Sequence, residues 1–271
     1  HDVFAAIGPP MTVRQVYYQL TTVKAVEKTE AGYDRVQRTV TTMRRNGSIP
    51  YHWLADNSRT YFQDPTYRNL ATALDQMHDF YRRDLWEAQN VHVELWLEKR
   101  SLVSILNPVC REFGVRLYPM GGFASISFAH EAALELREIE KPVHVYHLSD
   151  LDADGAYSSI ALERELRLHG ASFQFHRLAL TPQQISEFSL HDATREQKRT
   201  SSRWPWWVDT YGANMPACEL DAIDPRQFRE LVRNAIVQHI DPWHWERLQL
   251  IEQEEKRTLA EIAQQAHEGH L

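Results

Sequence analysis

Cysteine is nearly missing from this 271-residue chain: only Cys110 and Cys218 occur, far apart and in no metal-ligand spacing. That argues against a disulfide scaffold or a structural zinc site. No apolar run approaches the roughly 20 residues that a membrane-spanning helix needs. The first residues lack the charged-then-apolar texture of a secretory leader, so a soluble, cytoplasmic protein without membrane contact is the expectation. Internal repeats, low-complexity linkers and a Gly-rich Walker loop are also missing, which leaves the chain unable to drive ATP-coupled work alone. Nor is there a global excess of positive charge. The net charge is −7, so any contact with a polyanion must come from a local basic face.

What is present is enough apolar material, 43% of residues, for two modest domains or one large one. The charge is unevenly spread. Residues 1–60 carry eight Lys/Arg against five acids, and the remainder carries 22 against 32. Thr12 is placed to cap a first helix in which Val13, Val16, Tyr17 and Leu20 recur on one face. A second helix is expected from Ala31 to Arg45, with Arg35, Arg38 and Arg45 on its exposed side and Asn46-Gly47 as its stop. The stretch Ile49 to Ala55 reads as a strand, with Asp56-Asn57-Ser58 as its turn. Helix, turn, basic helix and small hairpin is the winged-helix order; an ordinary helical subdomain with a solvated basic face fits the same pattern. A bridging helix is expected over Tyr67–Gln89.

From Val91 the texture alternates in α/β fashion. Strands are expected over Val91–Leu97, Val115–Met120, Val143–Leu148 and Phe173–Leu178. The intervening helices are expected over Ser101–Phe113, Ser127–Glu140 and Ala156–His169. Such alternation implies a parallel sheet whose functional edge lies at the carboxyl ends of its strands. Just past two of those ends stand Glu98 and the run Asp150, Asp152, Asp154, with Gly155 permitting a tight turn. Asp150 and Asp152 are also suited to capping the next helix. One Asp would satisfy that need, and three in five residues with a Glu at another strand end repel one another without a cation. A hard divalent ion such as Mg²⁺ (or Mn²⁺), completed by substrate phosphate, suits this oxygen-rich set.

Glu98, a βα unit with a glycine turn, and then Asp150-x-Asp152-x-x-Gly155 resemble the Toprim signature of topoisomerases, primases and some nucleases. The resemblance implies that Glu98 acts as metal ligand or general acid/base while Asp150 and Asp152 hold Mg²⁺. Asp154 occupies a variable position that can add a ligand. Lys99 stands beside this edge, placed to touch a phosphate or to remain a solvated or packing lysine. Thr12-Val13-Arg14-Gln15-Val16-Tyr17-Tyr18 resembles the segment around the DNA-cleaving tyrosine of topoisomerase VI A subunits. The helical wheel places Tyr17 in the core and Tyr18 on another face, one turn from Arg14. The family's nucleophile falls on Tyr18, the alternative being a surface aromatic or a contact to the DNA backbone.

The resemblance runs from residue 12 to about 180 and is thinner beyond, where Glu219 to Pro225 is similar to bacterial stand-alone relatives. Glu219 and Asp221 are placed to lie near the metal, with surface charge as the leading expectation. Trp204, Trp206, Trp207 and Tyr211 are expected in core or dimer packing. The expected organisation is a winged-helix domain with bridging helix over 1–90, a Toprim domain over 91–180 and a mostly helical extension over 181–271. By resemblance, the chain cleaves double-stranded DNA through a phosphotyrosyl link as a homodimer, the tyrosine of one protomer facing the Toprim metal of the other, with a separate ATPase partner if it acts as a topoisomerase. Two alternatives stay open: a Toprim nuclease that uses water and leaves Tyr18 idle, and a DNA-binding or replication-control module without turnover.

Overall fold

The computed structural model describes residues 2–54, 64–122, 126–190 and 199–269. It divides into two compact units: His1–Arg59 with His92–Gln238, and Thr60–Val91 with His239–Leu271.

The first unit begins with helices α1 (Asp2–Ile7), α2 (Val13–Thr22) and α3 (Glu30–Arg45). Thr12 caps α2 reciprocally: its hydroxyl accepts from the Gln15 amide at 3.1 Å, and the Gln15 side chain accepts from the Thr12 amide at 2.9 Å. Such a cap contributes about 1 kcal/mol. Asn46 closes α3, and Gly47 follows at φ 76°, a left-handed turn that favours glycine. The helices bury Val16, Tyr17, Tyr18, Val36 and Val40 against Phe4, Ile7 and Met11. The strand expected over Ile49–Ala55 does not form. Tyr51–Trp53 is a single 3-10 turn, and Leu54 makes only an isolated parallel bridge to Met11. Pro50 has no amide to give a ladder, and its carbonyl is taken by the Trp53 amide at 3.2 Å. The turn expected at Asp56-Asn57-Ser58 lies outside the described residues.

Helix α4 (Leu70–Phe80) belongs to the second unit, and the first resumes as an α/β layer. Strands β1 (His92–Leu97), β2 (Arg116–Pro119), β3 (Val143–Leu148) and β4 (Gln174–Ala179) form one parallel sheet in the order β2-β1-β3-β4. Helices α5 (Val103–Glu112), α6 (Ile126–Arg137) and α7 (Ala153–Leu168) connect them. β1 and β3 are central and almost wholly buried, as the apolar character of the strands predicts. Helices α8 (Pro182–Glu187), α9 (Trp204–Tyr211) and α10 (Pro225–Val237) complete the unit. Trp207 of α9 is a core residue, 1% exposed, and touches Tyr211.

In the second unit α4 pairs with the long helix α11 (Pro242–His267). The bridging helix expected to run to Gln89 stops at Phe80. The Arg83 amide donates to the Glu252 carboxylate at 3.0 Å instead of to a helical carbonyl, and the Tyr81 hydroxyl donates to Glu255 at 2.7 Å. These tertiary bonds outweigh the local helical preference.

Candidate functional site

β1 delivers Glu98 to the carboxyl edge of the sheet. Its amide donates to Leu148 O at 2.9 Å, and its carbonyl accepts from the Gly121 and Gly122 amides at 2.8 and 3.1 Å. Those glycines adopt φ values of 76° and 109°, open to them because they lack Cβ. β3 delivers the acidic run. The Asp150 amide donates to Glu98 Oε2 at 3.2 Å, which ties the two strand ends together. Asp152 caps α7, accepting from the Asp154 and Gly155 amides at 3.0 and 2.9 Å. Gly155 is required by close approach: a Cβ there would collide with the Asp150 carbonyl. Asp154 accepts from Ser201 Oγ at 2.6 Å.

A third arm comes from residues that sequence reasoning assigned to the surface. Leu151 and Cys218 exchange two amide–carbonyl bonds of 2.9 Å each. This bridge carries Glu219 and Asp221 into the site, where they are 6% and 1% exposed. The Leu220 amide then donates to Asp150 Oδ1 at 2.8 Å. The expectation of surface charge at these two positions is therefore corrected. The bridge joins segments far apart in the chain, and no local periodicity marks it.

Lys99 lies at the centre of the acids. Its ammonium is 2.9 Å from Asp150 Oδ2, 3.1 Å from Glu219 Oε2 and 2.7 Å from Asp221 Oδ2. Burial lowers the Lys99 pKa, but Asp150, Asp221 and Glu219 outweigh it and hold the group above the ordinary lysine value. Lys99 is thus an internal counter-ion to three carboxylates in this structure.

Crowding and burial show in the carboxyls. Burial and then Asp150 push Glu98 up to about 7. Burial pushes Asp150 up to about 6, against the pull of Lys99 and the Leu220 amide.

The tyrosine helix meets this group through Arg14, whose guanidinium lies 2.7 Å from Glu219 Oε2 and 2.9 Å from Oε1. Tyr18 stands one turn on, within electrostatic reach of Arg14. The helical wheel gave Tyr18 an open face; the structure buries it as deeply as Tyr17, each 7% exposed. Tyr18 packs 5.5 Å from the Tyr17 ring and 5.7 Å beneath the Lys28 ammonium. Burial, then Glu219, raises its pKa to about 12, with Arg14 opposing.

Sequence reasoning also missed Arg177 on β4. Its guanidinium donates to Asp150 O at 2.7 Å, to Leu180 O at 2.8 Å and to Ser159 Oγ at 3.2 Å, bracing the acidic loop from behind. An arginine inside a short strand was the available signal. Arg35, Arg38 and Arg45 lie on the exposed side of α3, as their spacing predicts. Among the described residues, none of the three contacts the acidic group.

The donor set is made of hard carboxylate oxygens, and Asp221 Oδ1 is buried with no hydrogen-bond partner. That chemistry suits Mg²⁺. Among the described residues, no three acids, histidines or cysteines close into a metal cage; Mg²⁺ commonly takes one or two carboxylates and keeps its waters.

Compared with known proteins, the sequence matches no family model, and no curated sequence is a significant match.

Proposed function

We propose that this chain cleaves double-stranded DNA with Tyr18 as nucleophile, in the manner of topoisomerase VI A subunits. In this reading α2 and α3 are the helix-turn-helix of a winged-helix domain, and the four-stranded parallel sheet is a Toprim domain. One observation carries the proposal: the ion pairs that run from Arg14 beside Tyr18, through Glu219 and Lys99, to Asp150. They put the tyrosine helix and the acidic strand ends into one network.

In the reaction the Tyr18 oxygen bonds to phosphorus and its proton passes to solvent. The bond from phosphorus to the deoxyribose oxygen breaks, and that oxygen takes up a proton. Glu98, with its carboxyl near the neutral range, supplies that proton. A phosphate arriving at the site competes with Glu219 for Arg14 and with the carboxylates for Lys99, so both cations can transfer onto it. Asp150 and Asp152, with Asp154 as a further ligand, would hold Mg²⁺, which would neutralise phosphate charge when bound; Glu98 would join them as a ligand only once it has given up its proton. Arg35, Arg38 and Arg45 hold the duplex backbone. A homodimer and a separate ATPase belong to the same proposal.

The burial of Tyr18 favours one rival, a nuclease in which water attacks in its place. Incubation with supercoiled plasmid and Mg²⁺ (or Mn²⁺), with and without proteinase before electrophoresis, decides between them. The proposal expects DNA that stays with protein until the proteinase is added; free ends without that step support the nuclease.

A further inference from the structure

A cavity of about 510 Å³ opens beside Tyr18, walled by the end of α2, the loop into α3, the turn after α8 and the start of α10. Its size falls within the roughly 300–1,000 Å³ of small-molecule pockets. The Lys24 and Lys28 side chains line it with the hydroxyls of Thr21 and Thr22, while Phe188 and Leu190 supply apolar wall. Glu27 and Asp224 also line it. Asp224 is already held by the Arg226 amide at 2.8 Å and the Arg226 guanidinium at 3.6 Å, which leaves two lysines against Glu27 and a local excess of positive charge.

Two walls of the cavity are helix ends. Among the described residues, the non-glycine positions in the left-handed backbone region are Lys24 at φ 56° and Ser189 at φ 53°, and both line the cavity. Each closes a helix: the Ala25 amide donates to Leu20 O at 2.9 Å and the Leu190 amide to Ile185 O at 2.8 Å. These caps set Lys24 and the Phe188–Leu190 turn on the cavity wall.

We infer that this cavity is a nucleotide pocket, one that takes the sugar and base next to the phosphodiester presented to Tyr18. This rests on the reading of Tyr18 as the residue that meets the DNA backbone. The cations and hydroxyls suit a phosphate and sugar, and the Phe188–Leu190 wall suits a base face. Because the pocket accepts one unstacked nucleotide, it adds sequence or distortion preference to a backbone-reading protein.

The test is calorimetric titration of the full chain, metal-free, with thymidine 3′,5′-bisphosphate, with thymidine and inorganic phosphate as separate probes. The bisphosphate should bind at least tenfold more tightly than either fragment. Lys24→Gln combined with Lys28→Gln, both near the surface and outside the core, should weaken it at least tenfold. Equal affinity for phosphate and bisphosphate, or unchanged affinity in the lysine variant, overturns the pocket. Neither metal nor cleavage enters the measurement. A protein that binds the bisphosphate but never forms a covalent DNA adduct therefore keeps the pocket and loses the tyrosine mechanism. One that forms the adduct without binding the bisphosphate does the reverse.

Discussion

Arg14 and Glu219, from opposite ends of the first compact unit, share an ion pair of 2.7 Å, and Glu219 also faces Lys99 at 3.1 Å. One buried carboxylate thus joins the tyrosine helix to the end of β1. Glu219→Gln should therefore act on both sides at once. Arg14 is half exposed while Glu219 is buried, so loss of the carboxylate costs on the order of 1 kcal/mol after screening by solvent. A double-mutant cycle with Arg14→Met should show coupling of about 1 kcal/mol or more. Denaturant unfolding of the four proteins measures it, and strict additivity would show that the pair does not couple the two segments.

Asp150 separates a chemical effect from a structural one. Its Oδ1 accepts the Leu220 amide and its Oδ2 faces Lys99, so Asp150→Ala should destabilise the protein by about 2 kcal/mol or more. Asp150→Asn keeps an oxygen for Leu220 and should unfold near wild type while abolishing DNA cleavage. Asp152→Ala should cost about 1 kcal/mol through loss of the α7 cap, besides its effect on cleavage. Wild-type cleavage by Asp150→Asn would remove the metal site from the mechanism.

The carboxyls make stability fall with pH in the metal-free protein. Glu98 rises from 4.5 to about 7 on folding, so the folded state holds its proton more tightly than the unfolded one. A raised pKa contributes stability that is complete below pH 4.5 and lost as pH climbs through 7. Asp150 acts in the same direction between 3.8 and about 6. His147, held down to about 3 by burial and Arg177, acts in the opposite direction over the same range, as do His144 and His176, so the carboxyl contribution is read as the difference between wild type and Glu98→Gln. The wild-type melting temperature should fall relative to that of Glu98→Gln between about pH 5 and about pH 7.5, and added Mg²⁺ should recover stability at the alkaline end. Equal pH profiles for the two proteins would show that Glu98 is not crowded.

Arg35 and Arg38 are exposed on α3, and phosphate contacts there would release counterions. Arg35→Ala with Arg38→Ala should weaken binding to any duplex and flatten the dependence of affinity on salt, by about 0.9 for each phosphate no longer neutralised. Fluorescence anisotropy at several salt concentrations measures the slope. A slope equal to wild type would put the DNA elsewhere.

Much of this arrangement was legible because it is local. β3 forms over the expected Val143–Leu148, and Thr12 caps α2 as expected. Glu98 and Asp150 meet because a parallel sheet brings the strand ends to one edge, a rule of topology. The long-range partners were not legible. Glu219 and Asp221 arrive through the Leu151–Cys218 bridge, and Arg177 through register with β3, pairings that no residue pattern encodes. Tyr18 misled for a related reason. A helical wheel reports one helix, and the side of α2 that bears Tyr18 is covered by the rest of the N-terminal core, including Ala222 from beyond the sheet.

Tyr17 and Tyr18 are equally buried, so burial cannot say which is the nucleophile, but their partners differ. Tyr17 donates to Thr29 O at 3.2 Å, a bond that fastens α2 to the start of α3. Tyr17→Phe should lose about 0.5–1.5 kcal/mol of stability and keep cleavage. Tyr18 instead faces Arg14 and, through it, the acidic group. Tyr18→Phe removes one oxygen, preserves the ring packing, and should eliminate both cleavage and the protein–DNA adduct. With its pKa raised to about 12, the Tyr18 phenol is neutral at ordinary pH. Adduct formation that needs both the Tyr18 phenolate and the protonated Glu98 carboxyl should therefore rise about tenfold per pH unit below about 7 and level off between roughly 7 and 9. Arg14→Lys keeps the charge but loses the bidentate fork, and should slow the adduct without changing that slope. If Tyr18→Phe cleaves as well as wild type, water is the nucleophile, and the chemistry returns to Glu98, Asp150 and Lys99 alone.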